Sequence, residues 1–215
     1  MSGFMVQQLL LLVALAGDTV SLRPLAAAPT FDGAASASEY GASPLRVPTA
    51  RGEVEVWLGA HAEWVYWAVR LPDATPSWRD EAAVLLDPMG DRTPGPGHDD
   101  AAWVIRRVAD SSEVLRGVHG RWMLPGDDPT WRLGAARGGD DWEVRVVSDA
   151  TGWSVELRIA RAWWSGEYGA APAMAMRFFD DQVREWVGWP APPRCPAGGQ
   201  LDRAPGCWEQ VRSEK

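Results

Sequence analysis

Residues 153–159 read Trp153-Ser154-Val155-Glu156-Leu157-Arg158-Ile159, with Trp153, Val155, Leu157 and Ile159 on one side of an extended chain and Ser154, Glu156 and Arg158 on the other. Successive side chains of a strand point to opposite faces, so this spacing predicts a strand with one face in a core and the other in water. The same period appears upstream. Val54, Val56 and Leu58 alternate with Glu53, Glu55 and Trp57; beyond a turn at Gly59 to Ala62, Val65, Trp67, Val69 and Leu71 alternate with Trp64, Tyr66, Ala68 and Arg70. Two alternating runs separated by a short turn predict an antiparallel hairpin.

Further extended runs are expected at Ala82 to Asp87, Ala102 to Val108, Val114 to Val118, Trp142 to Val147 and Ala173 to Phe179, each bounded by Gly, Pro or Asp clusters that punctuate strands. In the last of them Met174, Met176 and Phe178 share a face, and Ala160 to Trp164 has room for a single helical turn before Gly166. No helical pattern is long enough for a crossover. The expectation is an all-β chain, an antiparallel β-sandwich of immunoglobulin-like or jelly-roll-like kind, without an internal repeat.

With 215 residues, 46% of them hydrophobic, the chain is long enough for one sizeable core and too short for two ordinary domains. The formal charge of -8 disfavours a polyanion or an anionic lipid surface, which excludes nucleic acid as the main partner. Fourteen tryptophans stand against four phenylalanines, more indole than a core of this size calls for, so some of these rings are expected at the surface.

The N-terminus has an apolar run, Leu9 to Leu15, and a small-residue stretch, Leu25 to Ala28. Residues 1–28 are therefore expected as a signal peptide or an N-terminal hydrophobic anchor too short to span a bilayer, and residues 29–215 as the folded domain. No Lys or Arg precedes Arg23, which departs from the usual export signal. The expected location is exported, periplasmic or extracellular, with membrane association through the N-terminus as the other option. Cys195 and Cys207 fall in a Pro- and Gly-rich C-terminal stretch. They form a disulfide if the compartment is oxidising, or else two unrelated thiols; His61, His98 and His119 lack the spacing that would add them to a zinc site.

Four motifs, in this order, are similar to the family 9 carbohydrate-binding modules and the DOMON-related sandwiches. They are Pro29-Thr30-Phe31-Asp32-Gly33; the aromatic-rich run Trp64 to Leu71; Ser77-Trp78-Arg79-Asp80-Glu81 leading into Ala83-Val84-Leu85-Leu86-Asp87-Pro88; and Gly152-Trp153-Ser154-Val155-Glu156-Leu157-Arg158-Ile159. Ala160 stands where that family usually has proline. The resemblance implies a sandwich fold and a site in which two aromatic rings clamp a sugar. A pyranose presents apolar C–H faces that lie on indole, and its hydroxyl rim needs fixed donors and acceptors.

Trp78 matches the first stacking position, unless it merely covers the end of the sandwich. The second has no clear match, since the C-terminal loop that should supply it carries Cys195, Pro196 and Gly198; Trp189 stands in as the candidate, with Trp186 and Trp208 also nearby. Strand residues Ala82, Ala83 and Val84 cannot satisfy hydroxyls, which leaves Trp103 and Arg106 of the next strand, with Arg107, as the remaining candidates. Asp87, Asp91, Asp99 and Asp100 form an acidic, glycine-containing loop that offers oxygen ligands for calcium, or is a plain solvated turn. Some related sandwiches bind haem through a methionine and a basic ligand, which draws attention to Met174, Met176 and His119.

No pair of carboxylates is singled out by spacing, and there is no Gly-x-Ser-x-Gly elbow or phosphate loop, so catalysis is not expected. Two functions are compatible with these residues. One is a non-catalytic module recognising a glycan by aromatic stacking. The other is a structural accessory subunit on the periplasmic or outer face of a membrane protein complex, for example a respiratory or photosynthetic one, with a degenerate sugar site. A cleft lying open between Trp78 and a second indole favours the first, and a cleft filled by residues 190–207 favours the second.

Overall fold

In the computed structural model, which describes residues 20–41, 44–108, 112–124, 141–164 and 171–213, the alternating segments become strands of two seven-stranded sheets. The first sheet comprises β1 (Ser21–Pro24), β2 (Leu45–Thr49), β3 (Gly52–His61), β4 (Trp64–Leu71), β9 (Trp142–Ser148), β10 (Trp153–Ala160) and β14 (Arg212–Ser213). Its order is β14-β1-β3-β4-β10-β9, with β2 paired to β3 as well. The second comprises β5 (Glu81–Asp87), β6 (Ala101–Arg106), β7 (Glu113–Val118), β8 (Arg121–Met123), β11 (Ala173–Asp180), β12 (Glu185–Trp189) and β13 (Glu209–Gln210). Its order is β12-β11-β5-β6-β7-β8, with β13 on the opposite end of β11 from β12.

The period-two face predicted for each strand becomes the core between the sheets. Val65, Trp67, Val69, Val155 and Leu157 of one sheet meet Val84, Leu86, Met174, Met176 and Phe178 of the other, all of them buried. Trp67 stacks on Phe178 with ring centroids 6.4 Å apart and donates its indole N–H to the Met176 sulfur at 3.1 Å. A buried indole needs such a partner, and methionine supplies a soft one. The predicted hairpin is β3–β4, but its turn is tighter than expected: His61 pairs with Trp64, leaving Ala62 and Glu63 to turn, with Ala62 at φ 51°. The expected helical turn is the 3-10 segment Arg161–Trp163.

Three features go beyond what strand alternation specifies. First, β1 runs parallel to both β3 and β14, and Val20 and Leu22 are buried, so residues 21–24 pair as a strand of the first sheet. Leu25 continues the contact, its side chain lying where a Cβ on Gly59 would sit, at 2.7 Å. Second, the Ser154 and Glu156 face of β10 is not in water. The Asp32–Gly33 turn and the short helix α1 (Ala37–Tyr40) lie over it, and the buried Glu156 carboxylate accepts the N–H of Asp32 at 2.9 Å, the N–H of Gly33 at 2.7 Å and the Tyr40 hydroxyl at 2.6 Å. Gly33 has φ 92° and lies against the Arg145 backbone, a conformation and a spacing that exclude larger residues. Third, the C-terminal loop packs over the outer face of the second sheet: a Cys195–Cys207 disulfide closes it, and Leu201 and Trp208 are completely buried against Leu85, Ala102, Ala173 and Ala175.

No helix among the described residues is long and apolar enough to cross a membrane. Leu9 to Leu15 and Gly166 lie outside the described residues.

Candidate functional site

The site is built at the end of the second sheet where β5 begins and β11 turns into β12. Ser77 and Asp80 are buried and bonded, while the two residues between them are exposed. The Asp80 carboxylate accepts the Ser77 N–H at 2.8 Å and the Asp181 N–H at 3.2 Å, and the Ser77 hydroxyl donates to Asp181 at 2.8 Å. These bonds fasten the 77–80 loop to the β11–β12 turn and turn Trp78 outward. Its surface is 62% exposed, and the Arg79 guanidinium lies 4.7 Å from the ring centroid.

Asp80 itself is anchored from inside. Arg107, almost wholly buried, reaches Asp73 and Asp80 at 3.4 Å each and donates to the Ser148 hydroxyl at 3.1 Å. Burial pushes the Asp80 carboxyl up from its ordinary value, while the two backbone N–H bonds and then Arg107 oppose the shift. On the other side of the same end, Arg51 pairs with Asp180 at 2.5 Å and with Asp73 at 3.6 Å.

Across β6, β5 and β11, the outward positions form a charged row. Ala82, Ile105 and Phe178 point into the core, so their neighbours Glu81, Arg106 and Arg177 point out. Register brings them together, because Glu81 pairs with both Arg106 and Phe179. Arg177 reaches Glu81 at 3.0 Å and Asp202 at 2.8 Å, and Arg106 reaches Glu113 at 3.2 Å and Glu81 at 4.0 Å. Burial pushes the Glu81 carboxyl up, with Arg177 and Arg106 opposing. Trp186 stacks on Phe179 at 4.5 Å, and Arg177 lies 5.1 Å from its ring centroid. The Arg177 Nε and one Asp202 oxygen are buried without a hydrogen-bond partner.

The expected site residues therefore divide. Trp78 is exposed on the loop before β5, and Arg106 points out from the end of β6. Trp103 does not: it is 1% exposed, sits between the sheets and meets Trp163 edge to face at 5.5 Å, because the alternation that sends Arg106 outward sends Trp103 and Ile105 inward. Trp189, 8% exposed, pairs with Met176 and joins the core for the same reason. Among the described residues the second exposed indole is Trp186, at 36%. Trp186 and Trp189 are three apart on one strand and so must face opposite ways, a signal present in the sequence. Glu81 and Arg177 carried only the weaker signal of a charged residue beside an apolar run.

The cleft expected between two indoles is not assembled by the candidates Trp103 and Trp189, because both lie in the core. The C-terminal loop occupies the middle of the face, with Trp122 stacked on Trp208 at 6.4 Å and donating to the Asp202 carbonyl at 2.7 Å. A haem pair is also not assembled: Met174 and Met176 fill the core, whereas His119 lies in the exposed β7–β8 turn against His98, ring centroids 5.0 Å apart. Of the four expected acidic residues, Asp87, Asp91 and Asp99 each bring one carboxylate oxygen within 4.8 Å of the others, and Asp100 is not part of that group.

No protein-family model and no curated protein matches this chain in sequence. In structure it is similar to a family 9 carbohydrate-binding module from Caldicellulosiruptor kristjanssonii in complex with cellotriose, with a TM-score of 0.65, 12% identity, and coverage of 91% of this chain and 93% of that one. A family 9 module from the same organism in complex with glucose gives a TM-score of 0.60 at 14% identity, covering 91% of this chain and 94% of the other. The chain has the fold of the family 9 carbohydrate-binding modules. At this identity the likeness carries the fold alone, and function has to be argued from the site.

Proposed function

We propose that this chain is a non-catalytic glycan-binding module whose surface is the Trp78 end of the second sheet's outer face. The observation that carries the proposal is Trp78 itself, a large apolar ring held 62% exposed on a loop fixed by one buried and one partly buried hydrogen bond. An exposed indole in a pre-set position offers a flat apolar area at little further entropic cost, which suits the C–H face of a sugar. Glu81, Arg106 and Arg177, with Trp186 beside them, supply charged donors and acceptors for hydroxyls. The structurally similar modules hold cellotriose and glucose, which makes β-linked glucans and glucose the first ligands to test. The Cys195–Cys207 disulfide supports an exported location, since such bonds persist in oxidising compartments.

One observation favours a second reading, a structural subunit docked on a membrane-associated complex. The C-terminal loop covers the middle of the face that an open sugar cleft would occupy. Exposed Trp78, Val183 and Trp186 at its edge would then serve as protein contacts.

Calorimetric titration with glucose, cello-oligosaccharides and a panel of plant and bacterial glycans separates the two. Binding that disappears in Trp78→Ala supports the module. Silence across the panel, together with stoichiometric partners on purification from native membranes, supports the docking subunit and removes the glycan reading.

A further inference from the structure

Three side chains on the core-facing side of β9 stay half-buried. Register sets Trp142, Val144 and Val146 opposite Ile159, Leu157 and Val155 of β10, which are completely buried. The β9 trio instead lines a cleft of about 470 Å³, together with Arg106 at the end of β6, Arg107 after it and Ser112 just before β7. A space of this size is within the usual range of small-molecule pockets.

Among the described residues, the charged side chains that line the cleft are all arginines: Arg106, Arg107 and Arg145. The carboxylates they pair with lie outside the lining. Arg106 meets Glu113 at 3.2 Å and Glu81 at 4.0 Å, Arg145 meets Glu143, and Arg107 meets Asp73 and Asp80. Arg107 is the informative one, because its side chain is only 1% exposed. Its Nη1 serves both aspartates at 3.4 Å and its Nε donates to the Ser148 hydroxyl at 3.1 Å, but Nη2 is buried with no hydrogen-bond partner among the described residues. Each Nη of a guanidinium carries two N–H groups, and burying charged donors without an acceptor is costly.

We propose that this cleft binds a small organic carboxylate with an apolar face, its anionic group received by Arg107 and its apolar part lying along Trp142, Val144 and Val146. A planar guanidinium matches a carboxylate edge to edge, and the Nη2 donors are still free to make such a bond. Ser112 offers a hydroxyl donor in the same cleft. The three β9 side chains gain from being covered, since they face the core and yet remain half in water. Acetate or inorganic phosphate would answer the arginine and leave this wall wet. An aromatic acid or a sugar acid does both, because its ring offers an apolar face to indole and valine. The cleft stands apart from the surface proposed for neutral glycans, with which it shares Arg106 alone.

The test is calorimetric titration with benzoate and with glucuronate, beside NMR of the protein's methyl and indole groups. One benzoate or one glucuronate per chain is expected, with shifts falling on Val144, Val146 and Trp142, and which acid binds identifies the source of the carboxylate. Acetate, inorganic phosphate and benzyl alcohol each lack either the apolar part or the charge, and should bind at least about tenfold more weakly. Arg107→Lys keeps a cation for the two aspartates but removes Nη2, and should weaken the acid at least about tenfold. Ser112→Asp, at a partly exposed position, brings a repelling carboxylate to the cleft without touching the Arg107 pairs, and should do the same in a normally folded protein. Carboxylate binding should persist in Trp78→Ala, the variant that removes the glycan surface, so the failure of either reading is distinguishable from that of the other. No heat of binding and no shift at Val144 or Val146 with either acid at millimolar concentration would overturn the proposal. So would full affinity in both Arg107→Lys and Ser112→Asp, or its loss in Trp78→Ala.

Discussion

Ser77 donates its hydroxyl to Asp181 at 2.8 Å across 104 residues of sequence, and this bond ties the loop that presents Trp78 to the turn between β11 and β12. A hydroxyl-to-carboxylate bond at a partly exposed position contributes about 1–2 kcal/mol. Ser77→Ala should therefore lower stability by roughly that amount while weakening glycan binding more than the lost stability explains, because the ring is no longer held in place. Calorimetry beside thermal unfolding checks the pair of effects; unchanged glycan affinity would show that the loop needs no such tether.

Trp78 and Trp103 should behave in opposite ways when truncated. Trp78→Ala removes an exposed ring and should leave stability within about 0.5 kcal/mol while abolishing glycan affinity. Trp103→Ala empties the space beside Trp163 and should cost about 3–5 kcal/mol. Denaturant unfolding of both variants is the measurement, and a large loss of stability in Trp78→Ala would move that residue from site to scaffold.

Removing Asp80 should be severe. Its carboxylate answers two N–H groups and the buried Arg107, so Asp80→Ala leaves a buried cation with fewer partners and should cost about 3–5 kcal/mol. Arg107→Leu, which removes the cation instead, should cost less in Asp80→Ala than in the parent. A double-mutant cycle by denaturant unfolding measures that coupling, and strict additivity would show that the two groups act independently.

Glu156 carries a pH signature. Burial holds its carboxyl above the ordinary value, with the Tyr40, Gly33 and Asp32 bonds opposing. A carboxyl whose folded pKa is raised binds protons more readily folded than unfolded. Its contribution is therefore fully present below the unfolded pKa and is lost as pH rises through the folded one. Glu156→Gln can still accept both N–H groups and donate to the Tyr40 oxygen. It should flatten this part of the profile and unfold at a temperature equal to or above the parent's at neutral pH, whereas Glu156→Ala should lower it throughout. Thermal unfolding between pH 4 and 8, roughly the carboxylate-to-neutral range, is the check.

The disulfide closes a loop whose Leu201 and Trp208 are core residues. In the chain-entropy account a bridge across 12 residues contributes about 3 kcal/mol. Reduction should lower Tm by about 6–12 °C, and Cys195→Ser with Cys207→Ser should give the same Tm with no response to reductant. A Tm that reductant does not move in the parent would show that packing alone holds the loop.

The sequence by itself determined which residues share a side of each strand, and therefore the sandwich. Successive side chains alternate wherever the backbone is extended, so the core positions of β3, β4, β10 and β11 are local facts. Alternation also placed Arg106 opposite Trp103, and Trp186 opposite Trp189, once the strand was known. It says nothing about what covers a face. Tertiary structure alone decided that Glu156 is buried under the Asp32–Gly33 turn, that β1 is recruited to the edge of β3, and that the C-terminal loop lies across the second sheet. It alone brought Glu81, Arg106 and Arg177 into one row. The reason is physical: each of those outcomes rests on pairing between segments far apart in the chain, and the register of such pairing is set by the packing of the whole core rather than by any local pattern.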